Sequence, residues 1–149
     1  LHAAPLIAQW VRQHVEQPIL IGPDEESMQW VTEVANLAEA PSLLLQKTRF
    51  GDENVQVSLP HLEHYPDHTP ILVDDIISTA RTMIETVQHL KSITSKKPVC
   101  IGVHAVFAAG AYEALLGAGA AAVITCNTIP HPSNGIAVEH LLAEAIKAD

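Results

Sequence analysis

The run Pro70-Ile71-Leu72-Val73-Asp74-Asp75 limits the possible folds more than any other feature of the chain. Ile71, Leu72 and Val73 follow one another without polar alternation. Such a run predicts a strand buried on both faces, as in a parallel sheet. Parallel neighbours need long crossover connections, usually helical, and those helices then cover both faces. The rest of the chain fits that demand. Ile19–Gly22, Ser42–Leu45, Val99–Phe107 and Ala121–Thr125 are further short apolar runs. Between them, apolar residues recur at helical spacing: Ala4, Ile7, Ala8, Val11 and Val15; Met28, Val31, Val34, Ala35 and Ala38; then Ile84, Val87 and Leu90. Residues 109–116 and 137–147 read as two more helices. The alternation predicts a doubly wound α/β domain, its sheet mainly parallel, with helices on both faces. Val55–Leu59 alternates instead and predicts half of a β-hairpin arm. A length of 149 residues suits one domain over 1–149.

Composition narrows the function classes. Hydrophobic residues make up 48% and charged residues 17%, a globular balance. The net charge of −9 argues against non-specific nucleic-acid binding. It does not oppose a small phosphorylated ligand, because a local loop can hold an anion that the global field repels. Cys100 and Cys126 lie in apolar segments and read as buried free thiols of a reducing compartment. No signal peptide or apolar run long enough to span a bilayer is evident. The expectation is a cytoplasmic protein with no membrane partner.

The central run ends in Asp74 and Asp75, followed by Ser78, Thr79, Ala80, Arg81 and Thr82 at the start of a helical pattern. A strand that turns into a helix N-terminus offers unpaired amides and a favourable dipole to an anion. The hydroxyls of Ser78, Thr79 and Thr82 add donors. Asp74 and Asp75 can accept from sugar hydroxyls or hold a hydrated Mg²⁺. The chemistry suggested is that of a sugar phosphate. Asp74–Thr82 resembles the phosphoribosyl-diphosphate (PRPP) signature of type I phosphoribosyltransferases and of ribose-phosphate diphosphokinases (PRPP synthetases). The family loop carries glycine where this chain has Arg81.

The resemblance to the diphosphokinases continues along the chain. Pro23-Asp24 is similar to a loop that approaches the diphosphate and its metal, which makes Asp24 the implied Mg²⁺ ligand. Glu25 and Glu26 stand there in place of small residues, and read otherwise as charge in the first turn of a helix. Lys47 and Arg49 match a Lys-x-Arg pair on the family's flexible catalytic loop, where cations stabilise the migrating group. His104-Ala105-Val106-Phe107, Thr128-Ile129-Pro130 and the Leu-Leu-Ala-Glu-Ala-Ile run near the end also resemble family segments. The likeness covers only the carboxyl-terminal half of such an enzyme. It implies a parent of two domains, whose other half supplies much of the ATP site. It further implies ribose 5-phosphate as ligand, Mg²⁺ as cofactor and a homo-oligomer. A non-catalytic homologue with a regulatory role, and a true phosphoribosyltransferase, stand as alternatives. His61, His64 and His68 would share a face if helical, but Pro60, Pro66 and Pro70 predict a surface loop with no assigned task.

Overall fold

A computed structural model describes residues 3–51 and 54–139, together with Ala143, Ile146 and Lys147; at 49, 50, 54 and 55 it describes the backbone. The expected helix over 137–147 therefore falls partly outside the described residues. Six strands form one sheet in the order β2-β1-β5-β6-β7-β8. They are β1 (Pro18–Gly22), β2 (Ser42–Leu44), β5 (Thr69–Ile77), β6 (Val99–Ala105), β7 (Ala122–Cys126) and β8 (Asn134–Ile136). Every pairing within it is parallel. Two further strands, β3 (Gln46–Phe50) and β4 (Asn54–Ser58), pair antiparallel as a separate hairpin. The fold class and the hairpin arm are as the sequence predicts.

Helices α1 (Ala4–His14) and α2 (Met28–Ala38) pack on one face. Their stripes of Ala4, Ile7, Ala8 and Val11, and of Val31, Val34, Ala35 and Ala38, meet Leu20, Ile71, Val73 and Ile101 of the sheet. Helices α3 (Arg81–Lys91) and α4 (Ala111–Ala118) cover the other face. There Met83, Val87, Leu90 and Leu115 meet Ile19, Ile21, Leu72 and Cys100. The alternate residues of β1 and β5 thus serve two separate cores, as strands buried on both faces must. Both cysteines are buried free thiols, and burial pushes Cys100 up to about 12 and Cys126 up to about 11.

Four details differ from expectation. Lys47 and Arg49 stand in a paired strand, not in an open loop, because Gln46–Phe50 finds its ladder partner in Asn54–Ser58. Helix α2 begins only at Met28, so Glu25 and Glu26 lie in the turn before it. On α3 the buried set includes Thr86, whose hydroxyl donates to the carbonyl of Thr82 at 2.8 Å, while Ile84 is only partly covered. The edge strand β8 is unannounced by the sequence.

The strand order fixes where a ligand can go. From β1 the chain steps outward to β2, then returns past β1 to β5 and continues to β8 on the other side. The reversal lies between β1 and β5. Open α/β sheets bind ligands outside the carboxyl ends of the strands at such a point.

Candidate active site

Two loops flank that crevice. The first leaves β1 at Gly22 and carries Asp24. One Asp24 carboxylate oxygen accepts the Ser27 amide at 2.9 Å, and the Ser27 hydroxyl donates back to the Asp24 carbonyl at 3.0 Å. The carboxylate therefore shapes the entry to α2. Glu25 and Glu26 are exposed beside it.

The second loop follows β5. The strand runs on through Asp74 and Asp75 to Ile77, so both acids belong to the ladder, with Asp74 opposite Gly102 of β6. Asp74 accepts the Asp75 amide at 2.8 Å. Burial raises the Asp74 pKa above its ordinary value of 3.8, and the charges of Asp75 and Asp24 push it the same way. Although Asp74 is exposed at its rim, surrounding protein disfavours its charge. The contribution of Asp24 shows that the two loops, remote in sequence, bring their acids within electrostatic reach of each other.

Beyond β5, Ser78 and Thr79 are exposed and Ala80 turns the chain. Ala80 is left-handed, with φ 61° and ψ 18°, a conformation glycine adopts more easily. Its carbonyl then accepts the Ile84 amide at 2.8 Å and starts α3. The Thr79 hydroxyl makes a long 3.5 Å contact with the Arg81 amide. The first amides of a helix have no partner within it, so the turn presents donors to an anion. Asp74, Ser78, Thr79, Ala80, Arg81 and Thr82 line a cleft of about 150 Å³. A smaller pocket joins the two loops, with Pro23 meeting Asp74, Thr82 and Thr86. Hollows of about 430 and 420 Å³ are larger, but one lies against α1 and α2 and the other at the amino ends of the strands. The candidate site is the cleft of about 150 Å³ after β5, where hydroxyls and helix-start amides meet a carboxylate.

The hairpin supplies a cation. Lys47 Nζ lies 3.9 Å from Glu85 Oε1 on α3, one turn beyond Thr82. His89 Nε2 is also 3.9 Å from that oxygen. Glu85 was not singled out by any motif; its place one turn after the hydroxyl cluster is the only signal the sequence carries. The Arg49 backbone pairs with Val55 in the same hairpin. His104 is half-buried and joins Thr128 Oγ1 at 2.8 Å.

The donor set suits Mg²⁺: hard carboxylate oxygens, with an anion cradle alongside. Among the described residues, Asp24, Asp74 and Asp75 do not form a trio whose oxygens all lie within 4.8 Å of one another. That is no obstacle, because Mg²⁺ keeps several waters and is commonly held by one or two carboxylates plus substrate phosphates.

Parallel sheet, switch-point crevice and acid-hydroxyl turn together describe one class of domain. The phosphoribosyl transferase domain family matches residues 1–142, and the chain belongs to it. Within that class its relatives are named ribose-phosphate pyrophosphokinase, as the residue motifs led one to expect. That of Sulfurisphaera tokodaii is 32% identical over 136 residues, covering 90% of this chain and 46% of the relative. That of Methanosarcina acetivorans is 32% identical over 148 residues, covering 99% and 52%. The chain spans about half the length of the curated relatives it matches. Among solved structures, the phosphoribosylpyrophosphate synthetase of Mycobacterium smegmatis superposes with a TM-score of 0.80 at 26% identity, over 98% of this chain and 50% of that one. The orotate phosphoribosyltransferase of Aeropyrum pernix shares the fold, with a TM-score of 0.62 at 19% identity over 83% and 67% of the two chains.

Proposed function

We propose that the chain is the carboxyl-terminal, sugar-phosphate-binding half of a two-domain ribose-phosphate diphosphokinase. The observation that carries this reading is the pairing of two acid-bearing loops, Asp24 and Asp74-Asp75, with the hydroxyl-lined turn that opens α3. The 5-phosphate of ribose 5-phosphate sits against the amides and hydroxyls of Ser78, Thr79, Ala80, Arg81 and Thr82. Arg81 adds a guanidinium able to grip two phosphate oxygens. Asp74 and Asp75 accept from the ribose hydroxyls and orient the ring. Asp24, with Asp74, holds Mg²⁺, which when bound neutralises phosphoryl charge.

In the implied reaction the 1-hydroxyl oxygen attacks the β-phosphorus of ATP and gives up its proton to solvent, the bond from the β-phosphorus to the oxygen bridging to the α-phosphorus breaks, and AMP leaves with that oxygen. Lys47 and Arg49 then stabilise the oxygens of the migrating diphosphoryl group. ATP is held mostly by residues of the other half of the protein. The parent is cytoplasmic and a homo-oligomer in this reading, with neither nucleic acid nor membrane as partner. Among the described residues no helix is long and apolar enough to cross a membrane.

Two observations favour a non-catalytic, regulatory homologue: Lys47 is occupied by Glu85, and Glu25 and Glu26 add exposed negative charge where a diphosphate would approach. An assay of the full-length protein with ATP, Mg²⁺ and ribose 5-phosphate separates the two. Turnover is expected, with Lys47→Ala lowering kcat by about a hundredfold or more and Asp74→Ala abolishing ribose 5-phosphate binding. A folded full-length protein that binds the sugar phosphate without turnover supports the regulatory homologue. Activity undiminished in both variants rejects the site.

A further inference from the structure

The segment between the hairpin and β5 contains a second constellation that the sugar-phosphate site does not use. A short 3-10 helix, Leu62–His64, follows β4. His61, the left-handed residue that precedes this turn, and His64 stack, with ring centroids 6.0 Å apart and planes at 21°. Glu63 joins them, its Oε1 lying 4.0 Å from His64 Nε2. One ligand atom from each of His61, Glu63 and His64 falls within 4.8 Å of the other two. All three side chains are exposed, and among the described residues neither imidazole is engaged in a hydrogen bond.

The turn beneath them is fixed. Leu59 is buried, and Leu62 and Tyr65 pack on the same core as α3 and α4. Backbone bonds from Leu62 to Leu59, His64 to His61 and Tyr65 to Leu62 close it at 3.2, 3.0 and 2.8 Å. His61 is held left-handed at φ 72°, unusual for a residue with a side chain. Apolar residues thus point inward and the three ligand residues outward from one turn. His68, the third histidine of the sequence cluster, packs edge-on against Tyr65 and stands apart from the trio.

We infer that His61, Glu63 and His64 form a surface site for a borderline divalent transition ion, of which Zn²⁺ is the representative. Two imidazoles and one carboxylate supply three of the four ligands of a tetrahedral centre, and water completes it. Ligand atoms in such a centre lie roughly 3.3 Å apart for bonds of about 2.0 Å. Reaching that spacing calls for rotation of exposed side chains on a turn whose backbone is hydrogen-bonded. Imidazole suits Zn²⁺, Ni²⁺ and Cu²⁺, whereas Mg²⁺ demands oxygen. The site is therefore chemically separate from the acid loops of the crevice.

Titration of the full chain with Zn²⁺ in excess Mg²⁺, followed by calorimetry, tests the assignment. One equivalent of Zn²⁺ is expected to bind. His61→Asn, which keeps a residue tolerant of the left-handed backbone, and His64→Gln should each weaken binding by at least about tenfold, since even loss of a ligand's outer partner costs about that much. Circular dichroism should show both variants folded, because the side chains are exposed. Co²⁺ substitution should give the intense visible absorption of a four-coordinate centre in the parent and lose it in the double variant. Failure of Zn²⁺ to bind in excess Mg²⁺, or equal affinity in parent and double variant, overturns the proposal.

Discussion

Asp74 holds its charge against the protein around it. Burial first, then Asp75 and Asp24, raise its folded pKa above 3.8. The native state thus keeps its proton to higher pH than the unfolded chain. That contribution favours folding below pH 3.8 and is lost as pH rises through the folded value. At neutral pH the ionised carboxylate destabilises the ligand-free protein. Asp74→Asn should therefore raise the melting temperature at pH 7, keep the bond from the Asp75 amide through its carbonyl, and lose its advantage as the pH approaches 3.8. Melting curves across that range check the sign. The same variant should bind ribose 5-phosphate and Mg²⁺ poorly in calorimetry, a gain in stability at the expense of function.

At the level of elements, the position of the turn after β5 depends on a missing side chain. A Cβ at Gly102 would stand 2.5 Å from Ile77 Cδ1 and 2.6 Å from its Cγ1. Gly102→Ala should cost about 1–3 kcal/mol in denaturant unfolding. It should also weaken sugar-phosphate binding, because Ile77 directly precedes Ser78 and Thr79. Ile77→Ala in the same chain should restore part of both losses. Helix α2 offers the opposite test. It ends at Glu39, left-handed at φ 56°, where glycine is unstrained. The exposed pair of Glu39 with Arg12 at 3.7 Å adds little. Glu39→Gly should stabilise the protein by about 0.5–1 kcal/mol, read from the denaturation midpoint.

These elements were unequally legible. The runs of β1, β5, β6 and β7 declared themselves because burial on both faces removes polar alternation. Asp24 and Asp74 were legible through their place after such runs. Strand β8 was not, since Asn134-Gly135-Ile136 reads as a turn and pairs only because the Thr125–Ser133–Asn134 network holds it beside β7. The strand carrying Lys47 was not legible because Lys47 pairs with Val57 beyond the turn, and its ion pair lies on a helix further still. His61 and His64 were set aside for want of an α-helix, yet a single 3-10 turn suffices to stack them.

Across the whole molecule, the net charge of −9 makes cations generally welcome, so a specific Mg²⁺ effect must exceed a salt effect. Thermal melts in MgCl₂ should lie above melts in NaCl of equal ionic strength, and the difference should grow when ribose 5-phosphate is added. Asp24→Asn should remove most of that difference. The reversal of strand order between β1 and β5 has a mechanical consequence. A ligand seated there touches loops from two strands that adjoin in space but enter the chain far apart, and so acts as a removable cross-link through the middle of the sheet. Hydrogen exchange should accordingly slow in β1 and β5 together when the ligand binds, as if a rivet had been driven between them.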